Sequence, residues 1–241
     1  MANPSLLFAV FFAALLVQGG LSTTFTLKNN CGKTIWPGIQ DNTNSPAFPQ
    51  TGFTLAASAS NSITAPAHWS GRIWGRTGCS TNAGKFTCQT GDCGTGQVAC
   101  NGHGGTPPAS LLEFTLNGSN GKDTYDISLV DGFNLPVSIT PQGVSGCQTD
   151  SCSANINAQC PTQLQVTESG TVVACKSACD AFNQPRYCCT GAYSSPTACQ
   201  PSSYSEFFKK ECPQAYSYAH DDTSSTFTCP TGANYLVTFC P

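Results

Sequence analysis

Sixteen cysteines run from Cys31 to Cys240, and no other feature of the chain constrains its fold as strongly. An even cysteine count at this density requires an oxidising compartment, where the thiols become bridges. Zinc is the rival use of cysteine, but pairs such as Cys88 with Cys93, or Cys175 with Cys179, lack a repeated CxxC spacing with histidine partners. No metal and no cofactor are expected. Sixteen cysteines allow about two million complete pairings, so spacing alone does not assign the bridges. Each short bridge can add about 3 kcal/mol and one joining distant ends about 5 kcal/mol, in a chain-entropy model that leaves out strain.

The compartment is also indicated at the start of the chain. Leu6 to Val17 forms an apolar run of signal-peptide length, too short to span a bilayer, and Gly20 and Ser22 place small residues before a cut after Ser22. Residues 1–22 are therefore read as a leader, and the mature chain as beginning at Thr23. No later segment is apolar enough to be a transmembrane span. Charged residues make up only 10% of the sequence, 10 basic against 13 acidic, so the chain lacks the positive field of a nucleic-acid binder.

Glycines (23) and prolines (16) interrupt the apolar pattern often, which favours short strands over long helices. Alternation at Phe25 and Leu27, then around Ile35, Phe53, Ile73 and Trp74, predicts strands of a sandwich. Leu112, Phe114 and Leu116 share one face and Glu113 points the other way; Tyr125, Ile127 and Leu129 repeat the pattern with Asp126 outward. That second strand is expected to reach Val130 and Asp131, ending at Gly132 with Asp131 at its mouth. Tyr235, Val237 and Phe239 predict a final strand. Between these lie two polar excursions, Cys79 to Cys100 and Cys147 to Cys189, each needing its bridges for order. A capping box of Ser203 with Glu206 predicts a helix that places Tyr204, Phe207, Phe208 and Cys212 on one face, stopped by Pro213.

Glu113, Asp126 and Asp131 are the residues most suggestive of chemistry. Two carboxylates, one protonated and one ionised, are the minimum for glycoside hydrolysis, although the solvated face of any sheet can look the same. There is no GxSxG elbow, and His68, His103 and His220 read as isolated surface residues. Asn117, Gly118 and Ser119 form an N-glycosylation sequon in a turn between two strands, making Asn117 a candidate acceptor.

Gly84, Phe86, Cys88, Thr90, Gly91, Asp92, Cys93, Gly96 and Cys100, in that order and spacing, resemble the signature of the thaumatin-like proteins, the fifth family of plant pathogenesis-related proteins. Trp74 to Cys79, Pro107 and Pro108, Leu112 to Phe114, Asp126 to Pro136 and Tyr187 to Cys189 extend the resemblance over the whole mature chain. Ala56 to Ala59 depart from it, since a glycine is expected before the strand there. The resemblance implies a mainly β fold, a flattened β-sandwich with two disulfide-rich loop lobes, the larger carrying short helices. It divides the chain into a sandwich core (23–76, 113–153 and 213–241), a small stapled lobe (77–112) and a larger lobe (154–212). It also implies the bridges Cys31–Cys240, Cys79–Cys88, Cys93–Cys100, Cys147–Cys229, Cys152–Cys212, Cys160–Cys175, Cys179–Cys188 and Cys189–Cys199.

Antifungal members of that family carry an acidic cleft, whose residues fall here on Arg72, Glu113, Asp126, Asp131 and one of Asp221 and Asp222. The implied role is extracellular plant defence by a monomer that binds β-1,3-glucan of fungal walls, with weak endo-β-1,3-glucanase activity in some members. On that reading Glu113 is the candidate acid and Asp131 its partner. Absence of residues after Pro241 favours the extracellular space, because vacuolar members carry a short extension. The alternative is a membrane-permeabilising antifungal protein, which the net charge of −3 and the lack of a cationic amphipathic helix do not favour. A sweet-tasting protein would need a strongly basic surface, and an enzyme inhibitor an exposed inhibitory loop; neither is evident.

Overall fold

The computed structural model describes residues 22–241, so all but the last residue of the expected leader lies outside the described residues. Chain order runs β1 (Thr24–Asn29), β2 (Trp36–Asp41), β3 (Ser60–Thr64), β4 (Ser70–Arg76), β5 (Ser80–Asn82), β6 (Lys85–Thr87), β7 (Leu111–Thr115) and β8 (Lys122–Ser128). It continues with β9 (Val137–Gln142), β10 (Asp150–Cys152), β11 (Gln165–Glu168), β12 (Thr171–Cys175), β13 (Phe227–Pro230) and β14 (Asn234–Phe239). Four helices, α1 (Ala178–Phe182), α2 (Pro185–Cys188), α3 (Ser203–Glu211) and α4 (Asp222–Ser225), lie between β12 and β13.

Two five-stranded sheets, ordered β10-β9-β14-β1-β3 and β13-β8-β7-β4-β2, form the sandwich. Period-two sequence makes it possible: Phe25 and Leu27 of β1, Tyr125 and Ile127 of β8, and Tyr235, Val237 and Phe239 of β14 are all fully buried. Their rings meet across the layers, Phe25 lying 4.7 Å from Phe114 and Tyr125 5.5 Å from Tyr235, centroid to centroid. Strands from opposite ends of the chain, β1 and β14, pair in parallel from Phe25↔Tyr235 to Asn29↔Phe239. The Cys31–Cys240 bridge closes that pairing. The remaining bridges are Cys79–Cys88, Cys93–Cys100, Cys147–Cys229, Cys152–Cys212, Cys160–Cys175, Cys179–Cys188 and Cys189–Cys199, with no free cysteine among the described residues. These are the pairs the resemblance implies.

The first excursion holds the β5-β6 hairpin and borrows its apolar contacts from the sandwich: Trp74 and Leu111 pack with Ala109 and the Cys93–Cys100 bridge. Arg76, 1% exposed, organises the approach by donating to the carbonyls of Trp36, Pro37 and Val98. Six of its residues form the two short strands, and the bridges with the Arg76 contacts supply what a small core would otherwise provide.

Two expectations need correction. The α3 cap is Ser202, which accepts from Ser205 N–H while the Ser205 hydroxyl accepts from Ser202 N–H, so the box lies one residue earlier than Ser203 and Glu206. Serine at the third position can return the bond, and Glu206 instead contributes negative charge to the first turn. Strand β8 stops at Ser128 and does not reach Asp131. There Leu129 turns inward, fully buried, with its N–H on the Tyr216 carbonyl, and Gly132 N–H closes a turn on the Leu129 carbonyl. Gly132 has φ +85, and a Cβ there would sit 2.6 Å from the Cys175 carbonyl oxygen.

Candidate acidic cleft

The outer face of the second sheet carries one row of charge. Register pairs Gln40 of β2 with Arg72 of β4, Arg72 with Glu113 of β7, and Glu113 with Asp126 of β8. Direct cross-strand neighbours have Cβ atoms about 4.5–5.5 Å apart, near enough for opposite charges to attract and like charges to repel. Arg72 faces Glu113 favourably, with Nε 3.6 Å from Oε1. That distance is too long for a hydrogen bond, and Arg72 Nε is buried without an acceptor among the described residues. Its contribution is a field acting on the carboxylates beside it.

Asp131, delivered by the turn ending at Gly132, and Asp222, at the start of α4, complete an open cleft of about 380 Å³. Leu111 and Ser128 line its sheet wall, while Tyr216, Ala219 and Asp222 form the facing wall. The structure separates the two adjacent aspartates. Asp222 accepts from the Tyr216 hydroxyl at 3.0 Å within the cleft. Asp221, included in the acidic set on sequence, is turned away: Oδ2 accepts from Ser217 N–H at 3.0 Å and Ser217 Oγ at 2.8 Å, and lies 2.9 Å from Lys209 Nζ. Lys209 also donates to Ala215 O and Ser225 Oγ, so Asp221 belongs to a staple tying α3 to the segment behind the cleft wall.

Burial raises the Glu113 pKa above the ordinary carboxylate range; Arg72 opposes the shift and Asp131 adds to it. Asp126 is pushed from 3.8 up to about 8, first by burial and then by the negative charges of Glu113, Asp150 and Asp222, against the pull of Arg72. Asp150 lies beneath it, fully buried, accepting from Ile127 N–H at 2.7 Å, and burial raises it to about 7. The site can therefore retain a proton near neutral pH on a carboxyl facing solvent, while Arg72 holds negative charge in place. A carboxyl that keeps its proton can donate a hydrogen bond or a proton, and an ionised one can accept from sugar hydroxyls.

Tyr216, Ser128 and Asp150 were not singled out on sequence. Tyr216 reaches the cleft through a parallel bridge with Ser128, a pairing between distant segments that no local pattern signals. Asp126 is the outward acid that alternation predicts, but the charged neighbours that raise it, Glu113, Asp150 and Asp222, come from three separate segments. Asn117 sits half-buried in the β7-β8 turn at φ 49, its Nδ2 3.2 Å from His68 Nδ1, and lies apart from the cleft. His68 and His103 are exposed as expected, whereas His220 is half-buried with Nε2 lacking a partner, so the surface reading does not hold for it.

Among the described residues no helix is long and apolar enough to cross a membrane. A protein of Castanea sativa named thaumatin-like protein 1 is 54% identical over 237 residues, spanning 98% of this chain and 98% of its own. One from Prunus avium, named glucan endo-1,3-beta-glucosidase, is 54% identical over 226 residues, spanning 92% of each. A solved glycoside hydrolase family 64 laminaripentaose-producing β-1,3-glucanase from Paenibacillus barengoltzii superposes with TM-score 0.58 at 13% identity, covering 92% of this chain and 75% of that one, a likeness of fold. The model of the thaumatin family matches residues 29–241, from the end of β1 to the last residue, and this chain belongs to that family.

Proposed function

We propose that this chain is a secreted, antifungal plant defence protein that binds β-1,3-glucan in the acidic cleft and cleaves it slowly. The observation that carries the reading is the row Arg72, Glu113 and Asp126, facing Asp131, Tyr216 and Asp222 across an open groove. Carboxylates and hydroxyls lining a groove suit a neutral polyhydroxylated chain, since each can accept or exchange hydrogen bonds with sugar hydroxyls. Tyr216 adds a hydroxyl to the facing wall. The Prunus avium relative named as a glucan endo-1,3-beta-glucosidase supports the same substrate class.

For cleavage, Glu113 serves as the proton donor and Asp131 as its ionised partner, acting either as nucleophile or as base toward water. Burial favours the protonated form of Glu113, and Asp131 reinforces that preference. Secretion to the extracellular space follows on this reading from leader removal after Ser22, and N-terminal sequencing of the secreted protein should begin at Thr23.

Measurement of reducing ends released from laminarin tests the enzymatic part. Glu113→Gln and Asp131→Asn should each lower the rate by about 100-fold or more, the usual scale of general acid catalysis, while retention on insoluble β-1,3-glucan persists. An unchanged rate in Glu113→Gln removes it as the acid. No release by the parent leaves a binding protein. Lipid-vesicle leakage by the parent that laminarin does not suppress would favour the membrane-permeabilising reading.

A further inference from the structure

Two carboxylates in the described chain are fully buried, Asp123 and Asp150, and neither enters any of its three ion pairs. Asp150 has Lys209 near enough to favour its charged form. Asp123 instead collects neutral donors: Asn117 N–H at 2.7 Å and Thr231 Oγ1 at 3.5 Å on Oδ1, and the Tyr235 hydroxyl at 2.9 Å on Oδ2. Each carboxylate oxygen has two lone pairs, so Oδ2 keeps acceptor capacity. A buried carboxylate ordinarily has a cation close by, because desolvating an unpaired charge is costly.

Asp123 also lines a cavity of about 260 Å³ at the edge of the sandwich, walled by Thr23, His68, Leu116, Asn117 and Thr231. Thr23 is 4% exposed and held on both sides: its carbonyl accepts from Ala65 N–H at 2.8 Å, and the next N–H, of Thr24, donates to Asn234 Oδ1 at 2.8 Å. By strand alternation Thr23 shares the inward face of β1 with Phe25 and Leu27, the face that meets Tyr235 and, through its hydroxyl, Asp123. The sequence independently marks the bond before this residue as the leader cleavage point.

We propose that this cavity is an ammonium site for the chain's own amino terminus: cutting the Ser22–Thr23 bond creates an α-ammonium on Thr23 that pairs with the Asp123 carboxylate. The proposal rests on the cleavage position given under the proposed function. Hydrolysis by a leader-cleaving endopeptidase adds water across the bond. The hydroxyl goes to the Ser22 carboxyl and a hydrogen to the Thr23 nitrogen, which takes a further proton from solvent. Before the cut that nitrogen is a neutral amide with one N–H; afterwards it is a cation with three. Leader removal thereby supplies the missing counter-charge and locks the start of β1 in place. The other titratable groups facing the pair are His68 at the mouth and the Tyr235 hydroxyl, with Tyr125 behind Tyr235.

The Thr23-start chain, released from a fusion by a specific protease, can be treated at pH 7 with limiting acetylating N-hydroxysuccinimide ester and followed by peptide mass. This makes the outcome independent of where the natural leader is cut, which N-terminal sequencing decides separately. The Thr23 amine should acylate at least about tenfold more slowly than in a peptide of the same first residues, because an adjacent carboxylate holds it protonated above the ordinary range of about 7.7–8.0. Asp123→Asn should abolish most of that protection. Should the variant not fold, the parent in urea provides the reference, and the protection should vanish there. Acylation of the folded parent at the peptide rate, or equal protection in folded Asp123→Asn, overturns the proposal.

Discussion

On β7 the inward side chains Leu112 and Phe114 are 0% and 2% exposed, whereas Glu113 between them has a third of its side chain open to the cleft and a charged residue on either side. The two faces share one backbone and one register, yet different terms govern them. Inside, the governing quantity is apolar surface removed from water, and every side chain is packed against several others. Outside, partly desolvated charges stand beside one another, Arg72 attracting Glu113 and Glu113 repelling Asp126, so electrostatics rather than packing sets the balance. The strands therefore act as a stiff ruler, and the tight inner face sets the spacing of the carboxylates.

The largest effect expected from testing that contrast is on the inner face. Phe114→Ala empties a site ringed by Phe25, Trp69 and Tyr235 and should cost about 3–5 kcal/mol in denaturant unfolding. A cost under about 1 kcal/mol would show that the two faces are not distinct in this way.

The next contrast lies within the pair Asp221 and Asp222. Asp221→Asn breaks the contact to Lys209 and weakens two bonds from Ser217, and should cost about 1.5–3 kcal/mol. Asp222→Asn should change stability by about 0.5 kcal/mol or less while altering glucan retention. Urea melts of both variants measure the difference, and equal costs would contradict the division of labour between these neighbours.

How far this division is legible in sequence depends on the range of the interaction that sets it. Alternation at Phe25 and Leu27, at Leu112 to Leu116 and at Tyr235 to Phe239 identifies strands, because period two is a local property. The same alternation turns Glu113 and Asp126 outward. The cleft as such is not local: Glu113 meets Asp126 through strand pairing, and Tyr216, four residues after the Cys212 that bonds Cys152, pairs with the distant Ser128. Choosing between Asp221 and Asp222 was beyond sequence for the same reason, since Lys209, one helix away, makes the choice. At the α3 start the error was smaller: Ser202, Ser203 and Ser205 are equivalent caps by type, and only the hydrogen bonds distinguish them.

A smaller effect comes from pH. Asp126 takes up its proton near pH 8 in the folded chain and near 3.8 when ordinary, so the folded state binds the extra proton between these limits. Stability contributed by that proton is complete below about pH 3.8 and is lost as pH rises through about 8. Asp150, raised to about 7, contributes with the same sign. Melting followed from pH 4 to 9 should show a shallower decline in Asp126→Asn than in the parent, with part of the slope remaining from Asp150 and Glu113. An identical slope would mean that Asp126 is ionised throughout and that the outer face does not hold the proton assigned to it.

The claim that the outer face is the glucan site is tested most directly by titrating the isotope-labelled mature protein with a laminari-oligosaccharide and following backbone amide resonances. The account predicts saturable shifts at Glu113, Asp126, Ser128, Asp131, Tyr216 and Asp222, with Leu112, Phe114 and Asp221 nearly unmoved. Saturable shifts confined to another surface, or none at concentrations that hold the protein on insoluble glucan, would contradict it.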